Sequence, residues 1–370
     1  MAITKIPAAG FTGNNFRNLI INGDMSIAQR GTSETGITSS GYHTVDRFYN
    51  RIVSGGTWTI SQDTDVPTGQ GFSSSLKMDC ITANASLSAN SEVRIWQVIE
   101  GQNCQYLKKG TANAESLTLS FWVKSNKTGT YIAELFDNDN NARNILKSYT
   151  IDASNTWEKK TITFEGDTTG TLDNDNNASL YIGFWQGAGT DFTSGTLQTS
   201  WGAYSATDRA VGQVNLADST DNEWFITGVQ LEAGTSSSDF EFLPVDVNLQ
   251  RCQRYYQFIG AGANYSAIGG ANDTPICNAS SYNSASAYGV LDFTTTMRSA
   301  PSLDQVTGGN YYRYYNSNSS DYFDSFNLAG ATSTKRALFN NVDAMTISAG
   351  QAGWFAILND ASYVALDSEL

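Results

Sequence analysis

Carboxylates are the most abundant side chains in this sequence that can perform acid–base chemistry. Glycoside hydrolysis, for example, requires two carboxylates that lie about 5–10 Å apart. The candidates are Glu92, Glu100, Glu115, Glu134, Glu158, Glu223 and Glu232. None of them belongs to a distinctive motif, so each is expected to be an ordinary surface or loop residue. His43 is the one histidine, which argues against a Ser-His-Asp triad and against a metal site with several histidine ligands. We therefore expect no catalytic residues and no enzymatic activity.

Two loops share the pattern Asp-Asn-Asp-Asn-Asn-Ala, at residues 137–142 and 173–178. The pattern resembles the first half of a calcium-binding loop, but an EF-hand needs glycine at its sixth position and glutamate at its twelfth. Here the sixth position is alanine in both loops, and the twelfth is Ser148 or Phe184. A looser calcium site stays open, whereas a solvated turn is favoured. We expect the two loops to be hairpin tips of one sheet.

The cysteines offer no redox or metal pattern. Cys80, Cys104, Cys252 and Cys277 form neither CxxC pairs nor zinc spacing, and we expect reduced, buried thiols. No cofactor is expected. The first residues, 1–7, lack a basic segment followed by an apolar one, so we expect no signal peptide.

Tryptophans are the stronger functional signal. Trp122 and Trp185 each adjoin a phenylalanine that must face the opposite side of a strand, so one member of each pair is expected to be less buried than the other. An exposed ring fringed by amides and carboxylates is suited to binding sugars, because the ring stacks on C–H groups while the polar groups bind hydroxyls. The predicted ligand-binding tryptophans are Trp58, Trp122, Trp185 and Trp201. The alternative for each is a place in the core.

A tyrosine-rich strand gives a second candidate. In residues 311–315 (YYRYY), Tyr312 and Tyr314 point one way while Arg313 and Tyr315 point the other. Some of these rings must meet solvent or a partner. We predict ligand contacts by Tyr312, Tyr314 and Tyr322, and the equal alternative is a subunit interface.

The elements that must position these rings are strands. Segments 117–124, 130–136, 157–164, 179–185 and 223–231 are apolar at alternate positions or strongly apolar and are separated by turn residues, which indicates an all-β fold with an antiparallel sandwich. The 370 residues carry 22 basic and 36 acidic side chains, a net charge of −14, which argues against nucleic acid and anionic membranes as partners. No segment approaches the roughly 20 consecutive apolar residues of a membrane span.

One stretch has helical spacing instead. Within residues 246–257, Leu249, Cys252 and Tyr256 lie on one face, and we predict that this stripe packs about a three-fold axis if three chains assemble. The helix also separates two predicted domains. The predicted organisation is an extended arm (1–16), a first β domain (17–245), the helix (246–257) and a smaller β-sandwich domain (258–370).

Several segments resemble a family of phage and prophage tail-fibre-type virion proteins. They are residues 18–31 (NLIINGDMSIAQRG), 42–48 (YHTVDRF), 95–101 (IWQVIEG), 117–124 (LTLSFWVK), 227–234 (TGVQLEAG), 240–241 (FE), 251–257 (RCQRYYQ), 293 and 297–301 (F…MRSAP) and 367–370 (DSEL). The resemblance implies a jelly-roll first domain similar to carbohydrate-binding modules, then the helix and a small C-terminal β domain. It also implies a virion appendage that is usually a homotrimer, and it carries over no catalytic residue.

We accordingly expect a non-enzymatic, receptor-binding virion protein that is assembled in the host cytoplasm. It would contact other tail or capsid proteins through residues 1–16 and host surface polysaccharide through its β domains. The second hypothesis is a capsid, collar or baseplate decoration with purely structural contacts. The third is a depolymerase, which is disfavoured because no β-helix repeat is visible.

Overall fold

The structure is a computed structural model that describes residues 16–139, 141–262, 274–316 and 320–370. The strands of the first part are β1 (Ser33–Ile37), β2 (Gly41–Tyr42), β3 (Tyr49–Val53), β4 (Thr57–Asp63), β5 (Ser75–Thr82), β6 (Glu92–Glu100), β7 (Leu117–Ser125), β8 (Gly129–Asp137), β9 (Arg143–Ile151), β10 (Glu158–Phe164), β11 (Ala178–Ala188), β12 (Gly202–Ala203) and β13 (Glu223–Ala233). The later strands are β14 (Tyr256–Ala261), β15 (Thr274–Ser281), β16 (Ala287–Asp292), β17 (Ser302–Gln305), β18 (Tyr312–Asn316), β19 (Ser320–Phe323), β20 (Phe326–Leu328), β21 (Arg336–Asn341), β22 (Ala352–Ile357) and β23 (Tyr363–Asp367). The helices are α1 (Thr190–Thr193) and α2 (Val245–Gln253).

The first thirteen strands form two antiparallel sheets that pack face to face. Sheet A has the strand order β1-β4-β5-β13-β7-β10, and sheet B has the order β12-β9-β8-β11-β6-β3-β2. Their inward-facing side chains share one hydrophobic core. The chain passes repeatedly from one sheet to the other, as in a jelly roll. The predicted all-β, jelly-roll fold class is therefore confirmed.

Alternation along the strands accounts for this packing. In β7, Leu119, Phe121 and Val123 are buried in the core between the sheets. Trp122, which interrupts the alternating pattern, lies between Phe121 and Val123 and is half-buried on the outer face of sheet A. The five strands predicted from the sequence all form, with ends that differ by at most three residues from the predicted ones.

The short helix is also present, but it ends earlier than predicted. It begins at Val245 and ends at Gln253, and Tyr256 and Gln257 already belong to strand β14. Among the described residues, no helix is long and apolar enough to cross a membrane.

Beyond α2, the chain forms two further sheets. Sheet C has the order β14-β23-β17, and sheet D has the order β19-β18-β22-β15-β16-β21-β20. Side chains of both, including Leu366 of sheet C and Phe355 of sheet D, share a second hydrophobic core. A smaller C-terminal β unit thus follows the helix, as the fold prediction states.

Buried ion pairs join the C-terminal residues to the sandwich. The guanidinium of Arg47 stacks on the ring of Tyr255 at 3.4 Å and pairs with Glu369. Arg30 lies 3.6 Å above the ring of Tyr256 and pairs with Asp367 at 3.1 Å. Because these groups are charged and largely buried, their pairing fixes the C-terminal strand against the sandwich.

The two aspartate-rich loops lie side by side, although only one is a hairpin tip. Residues 137–142 connect β8 to β9, whereas residues 173–178 lead from β10 across to β11. The backbone amide of Asp173 donates a 2.9 Å hydrogen bond to Asp139. Asp137, the first residue of its loop, pairs with Lys109. Residue 140 lies outside the described residues, among which no group of three or more His, Cys, Asp or Glu side chains is arranged to hold a metal ion.

Three of the four thiols are buried, as predicted. Cys80, Cys104 and Cys252 lie in the interior, while Cys277 is half-buried. Burial raises the pKa of Cys80 to about 11 and that of Cys104 to about 12. These thiols are therefore protonated, and hence unreactive, near neutral pH.

Candidate functional site

A row of aromatic rings crosses the outer face of sheet B. The five neighbouring strands β2, β3, β6, β11 and β8 contribute one ring each, and a sixth ring follows β12. Consecutive ring centroids are 5.0–5.9 Å apart. The rings, in order from β2 to the residue that follows β12, are Tyr42, Tyr49, Trp96, Tyr181, Phe136 and Tyr204. All six are half-buried or exposed. We call this set the aromatic row.

Strand alternation places these rings outside. Trp96 lies between the buried Ile95 and Gln97, and Tyr181 lies between the buried Leu180 and Ile182. Because successive side chains point to opposite faces, the row and the core lie on opposite sides of the sheet.

A groove of about 330 Å³ opens at the centre of the row, within the usual range for small-molecule sites. Its walls include Trp96, Phe136, Tyr181 and Tyr204. Gly183 pairs with Trp96 on one side and with Glu134 on the other. Because glycine has no side chain, space remains in the groove between these two neighbours. A Cβ atom added at Gly183 would lie 3.7 Å from the nearest side-chain atom, an ordinary contact. A Cβ atom is therefore accommodated at this position, and a larger side chain would extend into the groove.

A buried ion cluster forms the floor. Glu134 accepts two 2.8 Å hydrogen bonds from Arg209, one of 3.0 Å from the indole of Trp185 and one of 3.2 Å from Asn144. Arg94 approaches the same carboxylate at 3.4 Å. Burial alone would raise the pKa of Glu134, but the charges of Arg209 and Arg94 hold it below its usual value. The carboxylate therefore stays ionised and fully engaged.

The arginines also hold the rings in place. The guanidinium of Arg94 lies 4.2 Å from the ring centre of Trp96, and that of Arg209 lies 5.1 Å from the ring centre of Tyr204. Burial, together with the charge of Arg209, lowers the pKa of Arg94 to about 10. Cation–π contacts of this kind fix the planes of the rings before any ligand arrives.

A long connection covers the rest of this face. In the segment between β11 and β13, Phe192 and Ala210 pack with Ile132, Leu146 and Trp185 in a small apolar cluster. The cluster buries Trp185 completely, although this residue lies on the outer side of the sheet together with Tyr181. The same segment contributes Tyr204 and Arg209, and therefore forms one wall of the groove.

The structure corrects four of the predicted ligand-binding residues. Trp58, Trp185, Tyr312 and Tyr314 are fully buried, so none presents a ring face to a ligand. Trp58 belongs to the core between sheets A and B, and the two tyrosines belong to the core of sheets C and D. The sequence pattern identified the two faces of each strand without identifying which one is covered.

The other three lie on different surfaces. Trp122 is half-buried on the outer face of sheet A. Trp201 is half-buried beside β12, where its indole donates a 2.7 Å hydrogen bond to the carbonyl of Glu165. Tyr322 is 40% exposed on β19 of sheet D. The structure does not bring these three side chains together.

The predicted oligomer stripe of α2 is occupied within the chain. Cys252 packs with Ile21, Ile27 and Tyr255, and Leu249 is partly buried against the same cluster. Tyr256 is buried beneath Arg30. Cys252 and Tyr256 are thus not available to pack about a three-fold axis, because intrachain contacts already cover them.

The sequence interpretation missed the aromatic row, although one signal was present. On β6 and β8, a charged residue stands two positions before the ring: Arg94 before Trp96, and Glu134 before Phe136. Side chains two positions apart share a face, so the charge marks the face that is not core. Tyr204 and Arg209 carry no such signal, because they reach the groove from a long connection.

No protein-family model matches this sequence, and no curated protein matches it. Among solved structures, the enzymatically active domain of bacteriophage CBA120 tailspike protein 4 is similar, with 15% identity over 59% of this chain and a TM-score of 0.30. This chain covers 21% of that structure. The N-terminal cellulose-binding domain of Cellulomonas fimi β-1,4-glucanase C is 14% identical over 48% of this chain and 85% of its own length, with a TM-score of 0.26. TmCBM61 in complex with β-1,4-galactotriose is 10% identical over 59% of this chain and 99% of its own length, with a TM-score of 0.24.

Proposed function

We propose that this protein binds glycans along the aromatic row and in the groove at its centre. The observation that carries the proposal is the row itself: six ring side chains, contributed by neighbouring strands and a loop, line one sheet face, with the groove at their centre. Sugar rings expose C–H groups on one side and hydroxyls around their rim, so they need flat apolar surfaces flanked by polar groups. The rings offer the surfaces, and the arginines and Glu134 of the floor offer the polar flank.

The charge of the groove gives the ligand a preferred sign. Arg94 and Arg209 line the groove with Glu134, and Glu92 pairs with Arg94 at 2.9 Å just outside this lining. Arg51 in turn pairs with Glu92 at 3.5 Å, so three guanidinium groups and two carboxylates leave one excess positive charge. The whole chain carries −14, so this positive site stands out from its surroundings. Glycans with carboxylate or phosphate groups are expected to bind here at least as tightly as neutral ones, and more weakly as salt is added.

We further propose that binding is not followed by hydrolysis. A glycosidase needs one carboxyl that stays protonated near neutral pH and a second carboxylate facing it. The carboxyl of the groove, Glu134, has a pKa below its usual value and is held by Arg209, Trp185 and Asn144. It can therefore neither donate a proton nor approach a sugar carbon.

An array of neutral and acidic glycans, probed with the full chain, tests the binding proposal. Trp96→Ala removes a ring face and Gly183→Leu fills the groove, so each is expected to weaken binding about tenfold or more. Tyr282→Ala is the matched control, because Tyr282 is 74% exposed in the C-terminal part, away from the row. Unchanged binding by both groove variants, or an array on which the wild-type protein binds nothing, would overturn the proposal.

In the biological setting, we propose a structural protein of a phage virion, of the tail-fibre or receptor-binding type. The support is the sequence resemblance to that family together with the aromatic row. Residues 1–16 would contact other virion proteins, and several copies, as in a homotrimer, would raise the effective concentration of weak sites. Any such trimer would use surfaces other than the covered stripe of α2.

Virions that carry Gly183→Leu test this role. Slower adsorption to the host, with normal particle yield, is expected. If adsorption is unchanged and electron microscopy locates the protein on the capsid, collar or baseplate, the purely structural alternative holds instead. Light scattering of the purified chain measures the oligomeric state, and a monomer would overturn the homotrimer.

A further inference from the structure

A second pocket of about 330 Å³ lies on the opposite side of the sandwich, on the outer face of sheet A. Its apolar lining consists of Phe72, Trp122, Phe240 and Phe242. The three phenylalanine rings contact one another with centroids 4.8–5.1 Å apart. The side chain of Phe242 is 50% exposed. We call this the phenylalanine pocket.

The backbone of β13 is adapted to this arrangement. Its pairing with β7 shifts register between Thr227 and Gln230, which is typical of a β-bulge. Gly228 lies within the bulge with a φ of +62°. A Cβ atom there would lie 2.6 Å from the ring of Phe72 and 3.2 Å from that of Trp122. Bulge and glycine together let both rings lie directly against the strand.

The tryptophan forms the part of the wall on the sheet itself. Trp122 pairs with Thr227 of β13 on one side and with Lys159 of β10 on the other. β10 is the edge strand of sheet A, so this side of the pocket is open. The half-buried indole of Trp122 thus has the ammonium-bearing Lys159 as a neighbour on the sheet, and the three phenylalanine rings complete the apolar lining.

Polar groups of both signs complete the lining. Lys159 and Asp239 are both exposed, and Gln70 and Ser120 add an amide and a hydroxyl. A purely apolar ligand would remove water from these groups without replacing their hydrogen bonds, which is unfavourable. A sugar ring instead stacks on the indole and phenyl groups while its hydroxyls bind the amide, ammonium and carboxylate groups. One cation and one anion leave no net charge, so the pocket favours a neutral sugar.

We propose that the phenylalanine pocket is a second saccharide site, which binds a neutral pyranose unit. This inference rests on the proposed glycan-binding function and extends it to the other sheet. Because sheets A and B pack face to face, their outer faces lie on opposite sides of the molecule. One chain can therefore hold two glycan strands at once, a neutral one on sheet A and one at the cationic groove of sheet B.

Calorimetric titration of the full chain with cellohexaose, xylohexaose and mannohexaose, each alone, tests the second site. Phe242→Ala and Trp122→Ala are expected to weaken neutral-sugar binding about tenfold or more, and Trp122→Phe to restore most of it because a ring face returns. Phe242→Ala changes a half-exposed side chain, so it keeps the test valid if the tryptophan variant fails to fold. Tyr282→Ala is again the control.

Gly183→Leu separates this proposal from the first. If Gly183→Leu weakens glycan binding and the sheet A variants do not, the groove stands and the second site is wrong. If the sheet A variants abolish neutral-sugar binding and Gly183→Leu has no effect on any glycan, the second site stands and the groove is wrong. Failure of the wild-type chain to bind any of the three hexasaccharides would overturn the second site.

Discussion

The aromatic row of sheet B and strand β18 of sheet D are both rich in aromatic side chains, but the burial of these side chains differs. In the row, Trp96 and Tyr181 are only half-buried, and their neighbours are arginines and open space. In β18, Tyr312 and Tyr314 are fully buried. The hydroxyl of Tyr312 donates its one proton between two carbonyls, that of Val306 at 2.6 Å and that of Tyr363 at 3.0 Å.

The comparison shows that a charged neighbour, rather than aromatic content, marks the outer face of a strand. In β6, Arg94 shares its face with Trp96. In β18, Arg313 shares its face with Tyr315, which is 37% exposed, while the rings of the other face are buried. A charged side chain must keep contact with water or a counter-ion, and side chains two positions apart on a strand point the same way. The residues two positions from the charge are therefore placed on the outer face.

The largest expected effect concerns the buried side of β18. Tyr312→Ala removes a fully buried ring from the C-terminal core and should lower the free energy of unfolding by about 3–5 kcal/mol. Tyr315→Ala, on the outer face of the same strand, should cost less than about 1 kcal/mol. Urea denaturation of the full chain measures both. Equal losses in the free energy of unfolding would contradict the difference in burial between the two faces of β18.

The next effect concerns the floor of the groove. Glu134→Gln leaves Arg209 buried without its paired carboxylate, whereas Arg94 keeps Glu92 at 2.9 Å, and the change should cost about 3 kcal/mol at neutral pH. The folded pKa of Glu134 lies below its unfolded value, so its contribution is present above the unfolded pKa, about 4.3, and is lost as the pH falls through the folded pKa. The difference from wild type should therefore shrink in acid.

Denaturation curves at several pH values measure that difference. Glu115→Gln is the control, because the Lys108–Glu115 pair is solvent-exposed and contributes at most about 1 kcal/mol. A constant difference between wild type and Glu134→Gln from pH 7 to pH 3 would contradict the assignment.

The buried carboxyl of Asp46 lies near Arg30 and Glu369, among the ion pairs that join the C-terminal residues to the sandwich. Its effect on stability is expected to depend on pH in the opposite direction to that of Glu134. Burial raises the pKa of Asp46 to about 6; Arg30 opposes this rise and Glu369 adds to it. Between its unfolded pKa, about 3.9, and 6, the folded chain holds a proton that the unfolded chain has lost, so stability falls as the pH rises through this window. This rise in the pKa of Asp46 corresponds to at most about 3 kcal/mol.

Asp46→Asn should abolish this loss. The stability of the variant relative to wild type should therefore increase between pH 4 and pH 6. The stability of Glu134→Gln relative to wild type should instead decrease as the pH rises toward about 4.3 and stay constant above that value. Parallel curves for wild type and Asp46→Asn over this range would show that Asp46 does not titrate there.

The smallest expected effect is the loss of a single tyrosine hydroxyl from β18 while the ring is kept. Tyr314→Phe removes a 2.7 Å hydrogen bond to the carbonyl of Gln351 and should cost about 1 kcal/mol. Tyr315→Phe, on the outer face, should have almost no effect. Thermal unfolding of the two variants measures the difference, and the reverse ranking would contradict the burial of Tyr314.

Much of the fold could be predicted from the sequence. The strand of residues 117–124 follows from its apolar alternation, and the helix follows from the spacing of Leu249 and Cys252. The end of the helix was placed too late because Tyr256 fits the helical stripe and also begins a β-strand, where pairing with β23 decides its conformation. Local pattern alone does not resolve such a competition.

Little of the candidate site could be predicted in the same way. Trp185 was chosen because it adjoins Phe184, and it does face away from the main core, but Phe192 and Ala210 cover it. Trp122 does lie in a pocket, the one on sheet A. The groove itself depends on Arg209, which meets Glu134 across 75 positions of sequence.

By itself, the sequence determined where the strands run and which side chains share a face, because the two-residue period of a strand is a local property of the backbone. Only the tertiary structure decided which rings of an outer face were covered and which gathered into a groove. Those outcomes depend on sheet-to-sheet packing and on connections that return from distant positions, and no local pattern of residues encodes them.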